Sequence, residues 1–93
     1  MYIKFNKLSE NDTTVTYLLE TEILDESSKS INHIFVKAIG IFDKETETLI
    51  YDENNTDPYY LKKHREYFHV LYYLRKFHRS GNSFPQVYNI ITS

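Results

Sequence analysis

The sequence predicts an α+β fold, an antiparallel sheet of four to five strands with one long helix packed on one face. Residues 1–52 contain four strand-like segments, residues 57–81 have helical periodicity, and a further apolar segment follows the helix. The predicted order is therefore ββββαβ, with the helix before the last strand. No linker or repeat divides the chain, so residues 1–93 are expected to form a single domain.

The first two strands are predicted from strict alternation of apolar and polar residues. Residues 1–8 place Ile3 and Phe5 on one side and Tyr2 and Lys4 on the other. Residues 13–24 alternate again, and the side chains expected to face the core are Val15, Tyr17, Leu19, Thr21 and Ile23. Residues 9–12 have turn composition, which predicts a hairpin with one solvated face.

Residues 31–42 form the most apolar strand candidate, after an acidic, serine-rich connection at 25–30. The run Ile34, Phe35 and Val36 predicts burial on both sides and a central position in the sheet. A turn at 43–46 then leads into a fourth strand at 47–52. This second hairpin is expected to place Ile41 and Phe42 opposite Leu49 and Ile50.

The helix is predicted from both its ends and its periodicity. Asp57 can cap the first turn, Pro58 suits the first helical position, and Gly81 suits a left-handed terminus. A helical wheel gathers a predicted core face: Tyr60, Leu61, His64, Tyr67, Phe68, Leu71 and Leu74. Roughly opposite lies a predicted basic helix face: Lys62, Arg65, His69, Tyr73 and Lys76.

Val70 and Phe77 widen the apolar arc beyond what one sheet face would cover. The C-terminal tail is the favoured cover because intramolecular burial is the simpler explanation. Within that tail, residues 86–92 are a strand candidate preceded by Pro85. A homodimer through the Val70 and Phe77 flank, or through a sheet edge, is the alternative.

Composition excludes several classes of function. The chain has no Cys, so disulfides, thiolate metal sites and cysteine nucleophiles are excluded. No apolar run approaches the ~18 residues of a spanning helix, and no signal-peptide core is present, so a cytoplasmic location without membrane contact is expected. The sequence contains no motif for binding a nucleotide, a metal or another cofactor, so no cofactor is predicted.

Charge is segregated along the chain. Residues 1–57 contain five lysines against twelve acids, a balance of −7, whereas residues 58–93 contain six bases against Glu66, a balance of +5. We therefore expect an acidic side, with Glu20, Glu22, Asp25 and Glu26 as its centre, and a basic side on the helix.

The four histidines do not have metal-ligand spacing. His64 and His69 point roughly 140° apart on a helix, and His64 and His78 are ~21 Å apart along it. A site formed by His33 and His64 across the helix–sheet contact is left open, although hydrogen-bonded structural histidines are the favoured interpretation.

These observations favour a small non-catalytic protein-binding module. Size, charge segregation and the lack of catalytic motifs are of the kind seen in small bacterial or phage inhibitors and immunity proteins, which would use the acidic side to bind a basic partner such as a nuclease. One alternative is a nucleic-acid-binding protein that uses the basic helix face. A weaker alternative is a nuclease or hydrolase that uses His64 or His33 with Tyr.

Overall fold

The computed structural model describes residues 2–25, 32–62, 64–81 and 83–91, and for residues 23–25, 32–34, 62 and 64–66 it describes the backbone alone.

The strands are β1 (Tyr2–Glu10), β2 (Thr14–Asp25), β3 (Asn32–Asp43), β4 (Thr48–Tyr51) and β5 (Val87–Ile91). They form one antiparallel sheet in the order β4-β3-β2-β1-β5. The helical segments are a 3₁₀ turn (Glu53–Asn55), α1 (Pro58–Lys62) and α2 (His64–Arg79). The predicted ββββαβ arrangement is confirmed.

The ends of the helical region have the predicted chemistry. The Asp57 carboxylate accepts a hydrogen bond from the Tyr59 N–H at 3.0 Å, and α1 begins at Pro58. Gly81 follows α2 with φ of +75°, a conformation that glycine adopts without a steric penalty. Residue 63, between α1 and α2, lies outside the described residues.

One face of the sheet carries the core. The register aligns Phe5 with Leu19 and Leu19 with Ala38, so the alternating positions of neighbouring strands point to the same side. Gly40 interrupts this apolar row because a Cβ there would lie 3.2 Å from both the Leu19 and the Leu49 Cδ1 atoms. The second hairpin pairs Ile41 with Ile50 and Phe42 with Leu49, as predicted.

The other face of the sheet, called the open face below, is not covered by any described element. Phe35 on β3 is 58% exposed there and Ile50 on β4 is 63% exposed. The predicted burial on both sides of β3 is therefore wrong at Phe35, because the described helices all lie on the opposite face. Val36 is buried as predicted, and the Ile34 side chain lies outside the described residues. β3 is an internal strand, although β2 is the central one.

The C-terminal segment covers the wide apolar flank of α2. Phe77 contacts Tyr88 and Phe84, with ring centroids 4.9 and 6.3 Å apart, and Val70 is fully buried. The favoured prediction, a tail folded over this flank, is confirmed. Phe84 also reaches Phe42 on the sheet, so the segment closes the core between α2 and the strands.

This arrangement sets the rotation of α2 about its own axis. Because Val70 and Phe77 turn inward, the buried arc is rotated by about 60° from the predicted one, at ~100° per residue. Phe68 and Leu61, both predicted in the core, are 64% and 42% exposed.

Among the described residues, no helix is long and apolar enough to cross a membrane.

Candidate functional site

The outer face of α2 presents two large aromatic rings to solvent. Phe68 is 64% exposed and Tyr72 is 61% exposed, one helical turn apart. Three cationic residues, Arg75, Lys76 and Arg79, follow them on the same side of the helix. We call these five residues the α2 ridge. Exposed aromatics beside arginines are typical of protein interfaces rather than of a solvated helix surface.

An open groove of about 540 Å³ runs along the ridge. Its lining consists of the α2 ridge together with Leu71 and Ser80. Aromatic and aliphatic side chains line one part of it, and the basic groups lie toward the C-terminal end of α2. The groove therefore suits a ligand that combines an apolar group with a nearby negative charge.

Glu47, in the loop between β3 and β4, holds the C-terminal end of α2. Its carboxylate accepts hydrogen bonds from Arg79 Nε and Nη2, each at 3.0 Å, and lies 3.3 Å from His78 Nδ1. Arg75 Nε donates to the Glu47 carbonyl oxygen at 3.1 Å. The bond from Arg79, followed by that from His78, holds the pKa of Glu47 below its usual value. These bonds position Arg75 and Arg79, and the Glu47 carboxylate balances one of their two positive charges.

The predicted basic helix face is only partly the surface that the structure presents. Lys76 is exposed, and its Nζ lies 5.9 Å from the centroid of the Tyr73 ring. Tyr73 itself is turned toward the core, 5.6 Å from the Tyr88 ring, because the rotation of α2 moves its side chain against β5. His69 is half-buried. The side chains of Lys62 and Arg65 lie outside the described residues.

Of the predicted acidic side, Glu20 and Glu22 lie on the open face, which also carries lysines. Glu20 on β2 is directly opposite Lys4 of β1 and Lys37 of β3. Glu22, the next residue of β2 on this face, is half-buried and lies opposite Tyr2 and Phe35. The side chain of Asp25 and the whole of Glu26 lie outside the described residues. The described part of this surface is therefore mixed in charge.

His78 lies against aromatic rings and a carboxylate at the C-terminal end of α2. His78 stacks on Phe84 with ring centroids 6.3 Å apart, and its other neighbours are Phe42 and Glu47. The side chains of His33 and His64 lie outside the described residues, so the two-histidine site is not tested. Among the described residues, no three His, Asp or Glu side chains are close enough to hold a metal ion.

Sequence reasoning missed Phe68 and Arg75 as surface residues. The series Phe68, Tyr72 and Lys76 repeats every four residues, as does the pair Arg75 and Arg79, so both lines follow one side of the helix. Centring the buried arc on Val70 and Phe77 would have placed these two lines outward.

Comparison with protein-family models, with curated proteins and with solved structures found no match to this chain.

Proposed function

We propose that the protein is a non-catalytic binding module whose α2 ridge contacts an acidic segment of a partner protein. One observation carries the proposal: two aromatic rings more than half exposed lie beside three cationic side chains along one groove. Burying Phe68 and Tyr72 against a partner would remove a large apolar area from water. The cationic groups would select a partner whose apolar anchor is flanked by carboxylates.

A protein partner fits this surface better than a nucleic acid does. The ridge has three cations, and the Glu47 carboxylate balances one of them. The affinity of a nucleic-acid binder depends largely on the phosphates that its cations neutralise, and the net charge of this chain is −2. Interface hot spots, by contrast, are formed by a few Tyr and Arg side chains around an apolar pocket, as on the α2 ridge.

The ridge is also favoured over the acidic side as the principal contact. Glu20 has a lysine on each side in the sheet register, so a basic partner would meet like charges there. The inhibitor or immunity-type role through Glu20, Glu22, Asp25 and Glu26 remains a prediction.

Selection of peptides from a random displayed library against the purified protein tests the proposal. We expect the selected peptides to combine Asp or Glu with an aromatic or aliphatic anchor. Tyr72→Ala should weaken their binding by about 30-fold, the ~2 kcal/mol of an interface hot spot. Lys76→Glu should also weaken peptide binding, and its effect should grow as salt is lowered, because repulsion between the new carboxylate and the acidic peptide is then less screened.

Matched controls lie on the open face. Phe35→Ala removes an aromatic ring of similar exposure, and Lys37→Glu reverses an exposed lysine, and neither should change peptide affinity. Peptides without acidic residues, or equal binding to Tyr72→Ala and Phe35→Ala, would contradict the proposal. Tight binding of single-stranded oligonucleotides with a steep salt dependence would instead support the nucleic-acid alternative.

A further inference from the structure

The β5 strand, at one end of the sheet, lacks the features that usually protect an edge. Residues Val87–Ile91 have the sequence VYNII, with no charge, proline or glycine. Val87 is 50% exposed and Ile91 is 79% exposed. Natural edge strands are commonly protected by lysines, prolines or bulges, because an unprotected edge pairs with other strands.

The hydrogen-bonding pattern shows which backbone groups of β5 point outward. The Lys7 N–H donates to the Gln86 carbonyl oxygen at 2.8 Å, which makes Lys7 and Gln86 a bonded pair. Bonded and non-bonded pairs alternate in an antiparallel ladder, so Tyr88 and Ile90 bond to β1. The N–H and C=O groups of Val87, Asn89 and Ile91 therefore point away from the sheet, and no described strand pairs with them.

We propose that β5 pairs antiparallel with β5 of a second copy of this chain, with Asn89 opposite Asn89 on the two-fold axis. This register places Val87 opposite the partner's Ile91 and Tyr88 opposite the partner's Ile90. Every cross-strand pair is then apolar except the central one, where two asparagine side chains can hydrogen-bond. The two five-stranded sheets become one of ten strands.

The strand itself favours a second copy as the occupant. The pattern of β5 is symmetric about Asn89, so each apolar residue meets another apolar residue under two-fold rotation. The strand carries no charge that would repel its own copy. The opposite edge is a poorer candidate because β4 has only four residues. The Asp52 N–H donates to the Ile39 carbonyl oxygen, so Asp52 and Ile39 are a bonded pair. Since bonded and non-bonded pairs alternate, only Leu49 and Tyr51 of β4 point their backbone N–H and C=O groups outward.

Sedimentation equilibrium on the intact chain tests the pairing. We expect a concentration-dependent dimer, and we expect the Val87→Lys, Ile91→Lys double variant to be monomeric because its lysines would face each other across the edge. Ile50→Lys is the matched control, since it changes an isoleucine of 63% exposure on the same face at the other edge, and it should dimerise normally. If the double variant does not fold, Ile91→Lys alone serves, because that side chain is 79% exposed.

Cysteine cross-linking tests the register. The chain contains no Cys, so Asn89→Cys introduces a single thiol. In the proposed dimer the two thiols lie on a bonded pair with Cα atoms about 5.5 Å apart, so a short bifunctional thiol reagent should give covalent dimers. Val87→Cys should give none, because its two copies are offset by four residues, about 14 Å along the strands.

A wild-type chain that stays strictly monomeric at high concentration would overturn the proposal. So would a dimer that survives in the Val87→Lys, Ile91→Lys variant, since it would use another surface. Cross-linking of Val87→Cys as efficiently as Asn89→Cys would show that the strands do not pair in this register.

Discussion

Glu10, at the end of β1, joins two turns of the sheet through its carboxylate. Oε2 accepts from Lys44 at 2.7 Å and Oε1 accepts from Lys7 at 3.0 Å. Lys44 also donates to the Asn11 carbonyl oxygen at 2.6 Å, and its Nζ lies 5.5 Å from the Phe84 ring. The hydrogen bonds from Lys44 and then Lys7 hold the pKa of Glu10 below its usual value.

This lowered pKa predicts a contribution to acid stability. A carboxylate with a depressed pKa in the folded state stabilises the fold above its unfolded pKa, and the contribution is lost as pH falls through the folded value. The loss should begin below about pH 4.5, the ordinary value for Glu. Glu10→Gln should therefore reduce the free energy of unfolding at pH 7 and flatten its decline in acid.

The magnitude at pH 7 should be at most about 1 kcal/mol, since solvent screens partly exposed ion pairs. Urea unfolding across pH 3 to 7 measures it. The double variant Glu10→Gln, Lys44→Met is the control, and its loss should be smaller than the sum of the two single losses. Strictly additive losses would show that the Glu10 and Lys44 side chains do not interact in solution.

At the scale of elements, the segment after α2 is as important as the sheet in positioning the helix. Phe84 is 5% exposed and contacts Phe42 on β3 and Phe77 on α2. Tyr17 on β2 donates to the Pro85 carbonyl oxygen at 2.6 Å, and burial raises the pKa of that phenol. The segment therefore connects the helix, the central strand and β5.

Phe84→Ala tests this role. We expect a loss of roughly 3 to 4 kcal/mol in the free energy of unfolding, because a buried aromatic ring is replaced by a cavity. Amides of β5 should also exchange faster with solvent, since the segment that leads into the strand is loosened. Phe68→Ala is the matched control, because its ring is 64% exposed and its removal should change stability by under ~1 kcal/mol. Equal losses in the two variants would show that the segment does not anchor α2.

At the scale of the whole molecule, α2 and the open face lie on opposite sides of the sheet. The molecule measures 48 × 28 × 20 Å. The predicted separation of charge holds only in part, because Arg79 pairs with Glu47 and Lys44 pairs with Glu10. The α2 ridge and the open face are separate surfaces, and the two functional hypotheses assign the partner to different ones.

A quadruple variant distinguishes these hypotheses. Reversing Glu20, Glu22, Asp25 and Glu26 to lysine should leave binding to ridge-selected peptides within about threefold of wild type, because Glu20 and Glu22 lie across the sheet from the ridge and solvent screens most of the interaction. Surface plasmon resonance at physiological salt measures it. A natural partner captured by the protein could bind the wild type and Tyr72→Ala equally well but fail to bind the quadruple variant. That result would show that the acidic side is the interface and the α2 ridge is not.

Sequence patterns alone predicted the strands, the helical region and the inward-facing residues of β1 and β2, because these features depend on residues close together in the chain. Alternation identified the core side of β1 and β2, and Asp57, Pro58 and Gly81 marked the ends of the helical region. The hairpin register of Ile41 with Ile50 also followed from a short turn. Each of these is set by interactions within a few residues of the chain.

The folded structure was needed to establish the rotation of α2, the strand at the sheet edge and the contact between Glu47 and Arg79. Two overlapping apolar arcs run along α2, and either could face the sheet. Phe84 and Tyr88 pack against Phe77, so the arc that contains Val70 and Phe77 is the buried one. That selection moved Phe68 to the surface and formed the ridge. Such choices depend on contacts between residues distant in sequence, and no local pattern encodes their relative strength.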